Sequence, residues 1–348
     1  MSFCPERLSA MSSIRSSRHA VPAHSVSRRL LAVLLLCAPL LAACGPARDG
    51  EKPPAATGAP AAAPKLAVVA TFTILADLVS NVGGDRVAVT TVVGPDGDAH
   101  TFSPTPADAK SIADATLVFV NGMGFEGWID KLIAASGYQG PVVVVSQGIK
   151  AIRATGLGHS HSHKHDHGEF DPHGWQSLVQ VQRYVANIAD ALVAADPQHA
   201  SGYRTRAADY LQAIRQLHDD ARKKFEAIPQ ADRRVISGHD SFAYLAEEYG
   251  LKFFSPRGLS SDSEASAKDV ARLSKQIRSQ NIQAVFVENI SDPRLVEQLA
   301  RESGVRVGGI LFSDALSARD PRGRTYLDMM RHNIDEVAKA LARTGPGN

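Results

Sequence analysis

Cysteine is almost missing from this chain. Of 348 residues only Cys4, Cys37 and Cys44 are cysteine, so nothing beyond residue 44 can form a disulfide or offer a thiolate to a metal. Any metal held by the body of the protein is therefore held by nitrogen and oxygen. A charge of one sign is missing too: 38 Lys and Arg stand against 36 Asp and Glu, for a net charge of +2. With no basic stripe, nucleic acid is excluded as the expected partner. The metalloprotease sequence His-Glu-x-x-His is absent, which argues against a zinc hydrolase. No segment after residue 43 is apolar for long enough to span a bilayer.

What is present begins with an export signal. Arg28 and Arg29 precede an apolar run at residues 30–41, and the run ends in Leu41-Ala42-Ala43-Cys44. A positive start, a short apolar core and small residues before the cleavage point read as a secretory signal over residues 1–43. Leu-Ala-Ala-Cys followed by Gly45 resembles the bacterial lipobox, which implies cleavage before Cys44 and lipidation of its sulfur. Residues 44–65 are rich in Ala, Pro and Gly and cannot bury enough surface to offset ordering entropy, so they read as a disordered tether. The expectation is an exported lipoprotein, periplasmic or at the cell surface, working beside a bacterial membrane without crossing it.

Short β-branched runs recur in the first half of the body, at residues 66–70, 87–93, 117–120 and 142–145. A helix is expected over residues 105–115, where Thr105-Pro106-Ala107-Asp108 supplies an N-cap, a first-turn proline and an acidic residue three positions on. The second half repeats the theme, with strands expected at 233–237, 284–287 and 305–312 and helices opened at Ser266-Ala267 and Asp292-Pro293. This alternation predicts an α/β fold of two lobes with mainly parallel sheets, the N-terminal lobe over residues 66–197 and the C-terminal lobe over 230–348. Between them residues 198–229 are charged, alanine-rich and free of glycine after Gly202. They read either as one long rigid helix joining the lobes or as two ordinary packed helices.

Four residues of metal-ligating type stand out: His100, His173, His239 and Asp314. His100, His239 and Asp314 each fall just beyond the carboxyl end of an expected strand, where open α/β sheets place their ligand crevices. His173 lies where a histidine-rich loop at residues 158–168, carrying His159, His161, His163, His165 and His167, gives way to a helical stretch. Taken singly, a loop histidine is more often solvated or packed, and an aspartate after a strand more often caps a helix. Two candidates from each half place the site between the lobes.

The wording of the motifs then becomes specific. Gly94-Pro95-Asp96-Gly97-Asp98-Ala99-His100-Thr101-Phe102-Ser103-Pro104-Thr105-Pro106, Asn121-Gly122-Met123-Gly124-Phe125-Glu126-Gly127-Trp128, Asp171-Pro172-His173-Gly174-Trp175, Ser237-Gly238-His239-Asp240-Ser241-Phe242 and Asp314-Ala315-Leu316-Ser317 occur in that order. With Tyr326 and Asn333 after them, they resemble the signatures of the metal-binding lipoproteins that serve cluster A-I ABC importers of zinc and manganese. The resemblance implies that His100, His173, His239 and Asp314 are the metal ligands and that a long rigid helix joins the lobes. It also implies a monomer that docks on a membrane permease with its ATPase and catalyses nothing itself. Glu288 reads as a residue that supports the site, since family members tend to carry Glu there. One departure is visible: Gln176-Ser177-Leu178 stands where the family usually has Leu-Asp-Pro, which puts the start of the following helix in question.

Three imidazoles and one carboxylate fill a tetrahedral zinc shell, with Zn–N near ~2.0–2.1 Å. Family members that take manganese often have a carboxylate where this chain has His239, so Zn2+ is the expected cargo. Mn2+ or Fe2+ is the alternative, because almost any such site binds zinc more tightly than manganese whatever its biological cargo. A periplasmic metal buffer or adhesin uncoupled from transport is the reading from another class. The alternating histidines of the loop are expected to collect metal and pass it inward. Neutral imidazole is the ligand form, so acidification through the ordinary histidine range near ~6.5 should release metal.

Overall fold

The computed structural model describes residues 64–154, 169–261, 267–280 and 282–342. The signal segment, Cys44, most of the tether and the loop histidines His159, His161, His163, His165 and His167 lie outside the described residues. The described residues all belong to one compact unit.

Strands β1 (Leu66–Phe72), β2 (Val87–Val93), β3 (Leu117–Val120) and β4 (Val142–Val144) pair in the order β2-β1-β3-β4, all parallel. Helices α1 (Thr73–Gly83), α2 (Pro106–Ala113) and α3 (Ile129–Ser136) connect them. Strands β5 (Arg234–Ile236), β6 (Lys252–Phe254), β7 (Ala284–Glu288) and β8 (Val307–Leu311) repeat the order as β6-β5-β7-β8, again parallel. Their helices are α6 (Ala243–Tyr249), α7 (Ala267–Ser279) and α8 (Arg294–Ser303). In a parallel sheet covered on both faces the central strands must be apolar throughout. Every residue of β3 and β7 is accordingly buried, while the edge strands β4 and β8 keep exposed valine and isoleucine.

Local chemistry fixes several boundaries where the sequence put them. Thr105 and Asp108 form a reciprocal capping box at the start of α2, with Pro106 as its first residue. Asp292 Oδ1 accepts from the Arg294 amide at 2.9 Å ahead of α8. The unusual Gln176-Ser177 pair still starts a helix: the Ser177 hydroxyl accepts from the Val179 and Gln180 amides at 3.2 and 3.1 Å, and α4 (Val181–Ala195) follows. The three-residue strand β6 was not expected from the sequence, because Lys252-Phe253-Phe254 is too short to show a period.

Residues 200–226 form a single helix, α5 (Ala200–Glu226), rather than two packed ones. At 1.5 Å per residue it is about 40 Å long, enough to run the height of a small domain. Tyr203, Ala207, Tyr210, Ile214, Leu217, Ala221 and Phe225 are buried along one stripe, three or four residues apart. That stripe packs on α1 and α4 at one end and on α6 and the last helix, α9 (Tyr326–Ala342), at the other. One continuous core therefore runs from Val68 in β1 to Leu341 in α9, with a smaller cluster under α7 and α8 around Leu273, Val285 and Leu299. Helix α9 also reaches back to the first sheet's side: the Tyr326 amide donates to Asp77 Oδ2 on α1 at 3.0 Å. Among the described residues no helix is long and apolar enough to cross a membrane.

Candidate metal site

The carboxyl ends of both sheets face one crevice. His100 lies on the loop after β2, His173 on the turn before α4, His239 just after β5 and Asp314 just after β8. One ligating atom from each lies within 4.8 Å of all the others, the one such cluster among the described residues. His100 Nε2 is 3.3 Å from His173 Nε2 and 3.3 Å from Asp314 Oδ2. His239 Nε2 lies 3.2 Å from Asp314 Oδ2, and His173 Nε2 3.7 Å from Asp314 Oδ1. A tetrahedral shell with bonds near 2.0–2.1 Å would set its donors about 3.3–3.4 Å apart, so these spacings fit an ion at the centre.

The chemistry of the donors fits as well. His173, His239 and Asp314 are at most 1 % exposed. His239 Nε2 and both carboxylate oxygens of Asp314 are buried with no hydrogen-bond partner among the described residues. A carboxylate left like that costs folding free energy unless an ion or a charged neighbour compensates it. The positive charge that His239 and His173 can carry outweighs burial and holds the Asp314 carboxyl well below the usual carboxylate range. Burial pushes the His239 imidazole down, but the charges of Glu288 and Asp314 outweigh it and hold that imidazole well above its usual range. His100 is lowered, mainly by burial.

Two histidines are oriented from behind. Asp171 Oδ1 accepts from the His173 amide and from its Nδ1, both at 2.8 Å. Glu288 Oε2 accepts from His239 Nδ1 at 2.5 Å, and its Oε1 from the Gly238 and His239 amides at 2.7 and 2.9 Å. Each carboxylate holds the Nδ1 proton, so that the neutral, ligating form of the ring turns its Nε2 lone pair toward the crevice. His100 is placed differently: its amide donates to Asp98 Oδ1 at 2.9 Å and its ring meets Phe125 edge-on at 4.7 Å.

The remaining sequence motifs build the walls. Trp175 Nε1 and Gln176 Nε2 both donate to the Ser313 carbonyl, at 2.9 and 2.7 Å, beside Asp314. Tyr326 Oη donates to the Trp175 carbonyl at 2.7 Å, and Asn333 brackets Phe312 by accepting from its amide and donating to its carbonyl. Glu126, buried and raised by that burial, accepts from Thr71 Oγ1 at 2.6 Å and from the Asn121 amide at 2.7 Å, which shapes the loop that carries Phe125. Two residues were not singled out as site residues by sequence. Asp96 and Asn289 join the His100 loop to the second sheet, with Asn289 Nδ2 3.1 Å from Asp96 Oδ1.

Known proteins resemble this chain along nearly the whole body. A family profile described as zinc-uptake complex component A, periplasmic, matches residues 68–340. The manganese-binding lipoprotein MntA of Bacillus subtilis (strain 168) is 32 % identical over 317 residues, covering 90 % of this chain and 98 % of its own length. The iron-binding protein YfeA of Yersinia pestis is 31 % identical over 281 residues, covering 81 % and 88 %. The solved structure of the periplasmic zinc-binding protein TroA from Treponema pallidum superposes with a TM-score of 0.72 at 29 % identity, covering 80 % of this chain and 99 % of that one. From Val68 to Ala340, then, the chain belongs to the zinc-uptake component A family, the metal-binding solute-binding proteins of ABC importers.

Proposed function

We propose that this protein captures a single divalent transition metal, zinc, with His100, His173, His239 and Asp314 as its ligands, and delivers it to a membrane permease driven by an ATPase. The observation that carries the reading is the buried Asp314 carboxylate, which accepts no hydrogen bond among the described residues and faces three imidazole Nε2 atoms at 3.2–3.7 Å. Four protein donors close a tetrahedral shell and leave no position for a substrate water, which suits carriage and not hydrolysis. The His239 imidazole supports zinc over manganese, a harder ion that favours more oxygen.

A second reading, the same role for manganese or iron, draws on relatives named for those metals. It also draws on Asp314, whose two oxygens face different histidines and could both bind, giving five-coordination. In the full proposal the mature protein is a monomer, anchored through lipid on Cys44 and tethered by residues 44–65. His159, His161, His163, His165 and His167 collect metal and pass it inward. The lobes are residues 66–197 and 230–348, joined by residues 198–229. The continuous core along α5 favours a modest adjustment of loops and lobes on release over a wide hinge closure.

The test is native mass spectrometry of the purified protein, stripped and then offered zinc and manganese together. One retained zinc, lost in His239→Ala and kept when the five loop histidines are replaced by serine, is the expected result. Retained manganese against competing zinc would overturn the choice of metal. No tightly held ion would overturn the capture role.

A further inference from the structure

Two donors from opposite halves of the chain, His100 and Asp314, sit on loops that one carboxamide holds together. Asn289 directly follows Glu288 at the end of β7. Its Oδ1 accepts from the Ser313 amide at 3.4 Å and its Nδ2 donates to the Ala315 carbonyl at 3.1 Å, so it grips the chain on both sides of Asp314. The same Nδ2 donates to Asp96 Oδ1 at 3.1 Å, on the turn that leads to His100. Asp96 is bound to the second half twice more. Its amide donates to the Leu316 carbonyl at 2.9 Å, and its Oδ2 accepts from Ser317 Oγ at 2.9 Å. Two residues on, Asp98 pairs with Ser261 Oγ through Oδ2 while its Oδ1 holds the His100 amide.

The backbone of this turn is committed to that arrangement. Asp96 has φ +57°, a left-handed conformation that only Gly, Asn and Asp adopt routinely. The Gly97 amide closes the turn on the Gly94 carbonyl at 3.1 Å. The side chain of Asp96 is thereby turned toward β7 and the Asp314 loop and away from its own sheet. Glu288 and Asn289 together thus reach three of the four donors: one sets the His239 ring, the other sets the spacing between the His100 and Asp314 loops.

We propose that Asp96, Asn289 and Ser317 form an interlobe clasp, with Asn289 the positioning residue that keeps His100 and Asp314 at ligating distance. Opening the clasp is the step that releases the ion. This rests on the metal-capture reading and adds to it the place where the site comes apart. The clasp touches no ion. It acts on how long the four donors stay assembled, so it governs the rate of metal loss and leaves the stoichiometry alone.

A charge swap tests it on the purified full-length protein, with the rate of zinc transfer to a chromogenic chelator as the readout. Asn289→Asp sets a second carboxylate against Asp96 while still accepting from the Ser313 amide, and like charges so close repel. Transfer should then be faster by about tenfold or more, with one ion still bound per chain at saturation. Asp96→Asn keeps a residue that tolerates positive φ. Combined with Asn289→Asp it restores a carboxamide facing a carboxylate with the roles exchanged, and should recover part of the lost retention, the bond to the Ala315 carbonyl staying lost. Wild-type transfer rates in Asn289→Asp, or a swap that adds further loss instead of rescue, would overturn the clasp. Should Asn289→Asp fail to fold, the cycle of Asp96→Asn and Ser317→Ala replaces it: non-additive effects on the rate support the clasp, additive ones overturn it. A wild-type protein that holds no zinc would instead overturn the capture reading, and the clasp's role falls with it.

Discussion

Glu288 Oε2 lies 2.5 Å from His239 Nδ1, and the other oxygen of the same carboxylate binds the two backbone amides that lead into that histidine. Ring, backbone and tautomer at position 239 are therefore set by one buried side chain, 49 residues further along the chain.

The Glu288→Gln protein should keep its fold and bind one ion about 10–100-fold more weakly, the usual cost of removing a carboxylate behind a ligating histidine. The carboxamide keeps one accepting oxygen where the carboxylate used two, and it no longer carries the charge that raises the imidazole's basicity. Competition against a chelator of known affinity checks this, and an unchanged affinity would show that Glu288 does not tune the site.

Capture should cost the protein a proton. In the absence of a bound ion the charges of Glu288 and Asp314 overcome burial and hold His239 above its usual range, while His100 lies below it. The ligand form of imidazole is neutral, so binding near neutrality displaces the proton on His239. Affinity should therefore rise with pH up to the raised His239 value and level off above it, and fall by about a factor of ten per pH unit below it. Calorimetry in buffers of different ionisation enthalpy should find about one proton released per ion near pH 7; none released would contradict the tautomer and charge assigned here.

Metal should stabilise the fold strongly and through Asp314. An ion present at about a thousandfold over its dissociation constant adds roughly 4 kcal/mol to the folded state. For a body of this size that corresponds to roughly 10 °C in melting temperature. The Asp314→Ala protein should fold and show no such shift when zinc is added. A full shift in that variant would place the ion elsewhere.

Away from the crevice, Asp77 on α1 should make stability fall as pH rises. Burial raises its pKa from 3.8 to about 6, only partly offset by the Tyr326 amide and the Tyr210 hydroxyl that it accepts from. The folded state thus holds this proton more tightly than the unfolded chain. The advantage is full below 3.8 and is lost as pH climbs through about 6. Asp77→Asn does not titrate and still offers an oxygen to the Tyr326 amide. Urea unfolding from about pH 4 to pH 7 should show wild type losing ground against this variant across that window. A constant gap would contradict the raised value.

That His100, His173, His239 and Asp314 would come together was legible from their motifs and, for His239 and Asp314, from their places just after β5 and β8, where parallel α/β sheets put ligand crevices. Thr105 and Asp108 announced α2 by cap chemistry alone. The repeated strand order was not legible, since β6 is three residues long and has no period to read. Nor was the unity of α5, whose composition suits one helix or two and is decided by a buried stripe that neighbours on both sides complete. Asp96 and Asn289 were invisible as a pair: 193 residues separate them, and each alone is an ordinary turn residue. Gln176 looked like a defect in a motif, yet its carboxamide holds the carbonyl beside Asp314.

The most direct test of the metal site is a crystal structure of the zinc-loaded protein with data collected on both sides of the zinc absorption edge. The expected result is one anomalous peak between the lobes, with Nε2 of His100, His173 and His239 at about 2.0–2.1 Å and one or both oxygens of Asp314 completing the shell. A peak anywhere else, or an ion bound without Asp314, would contradict the site described here.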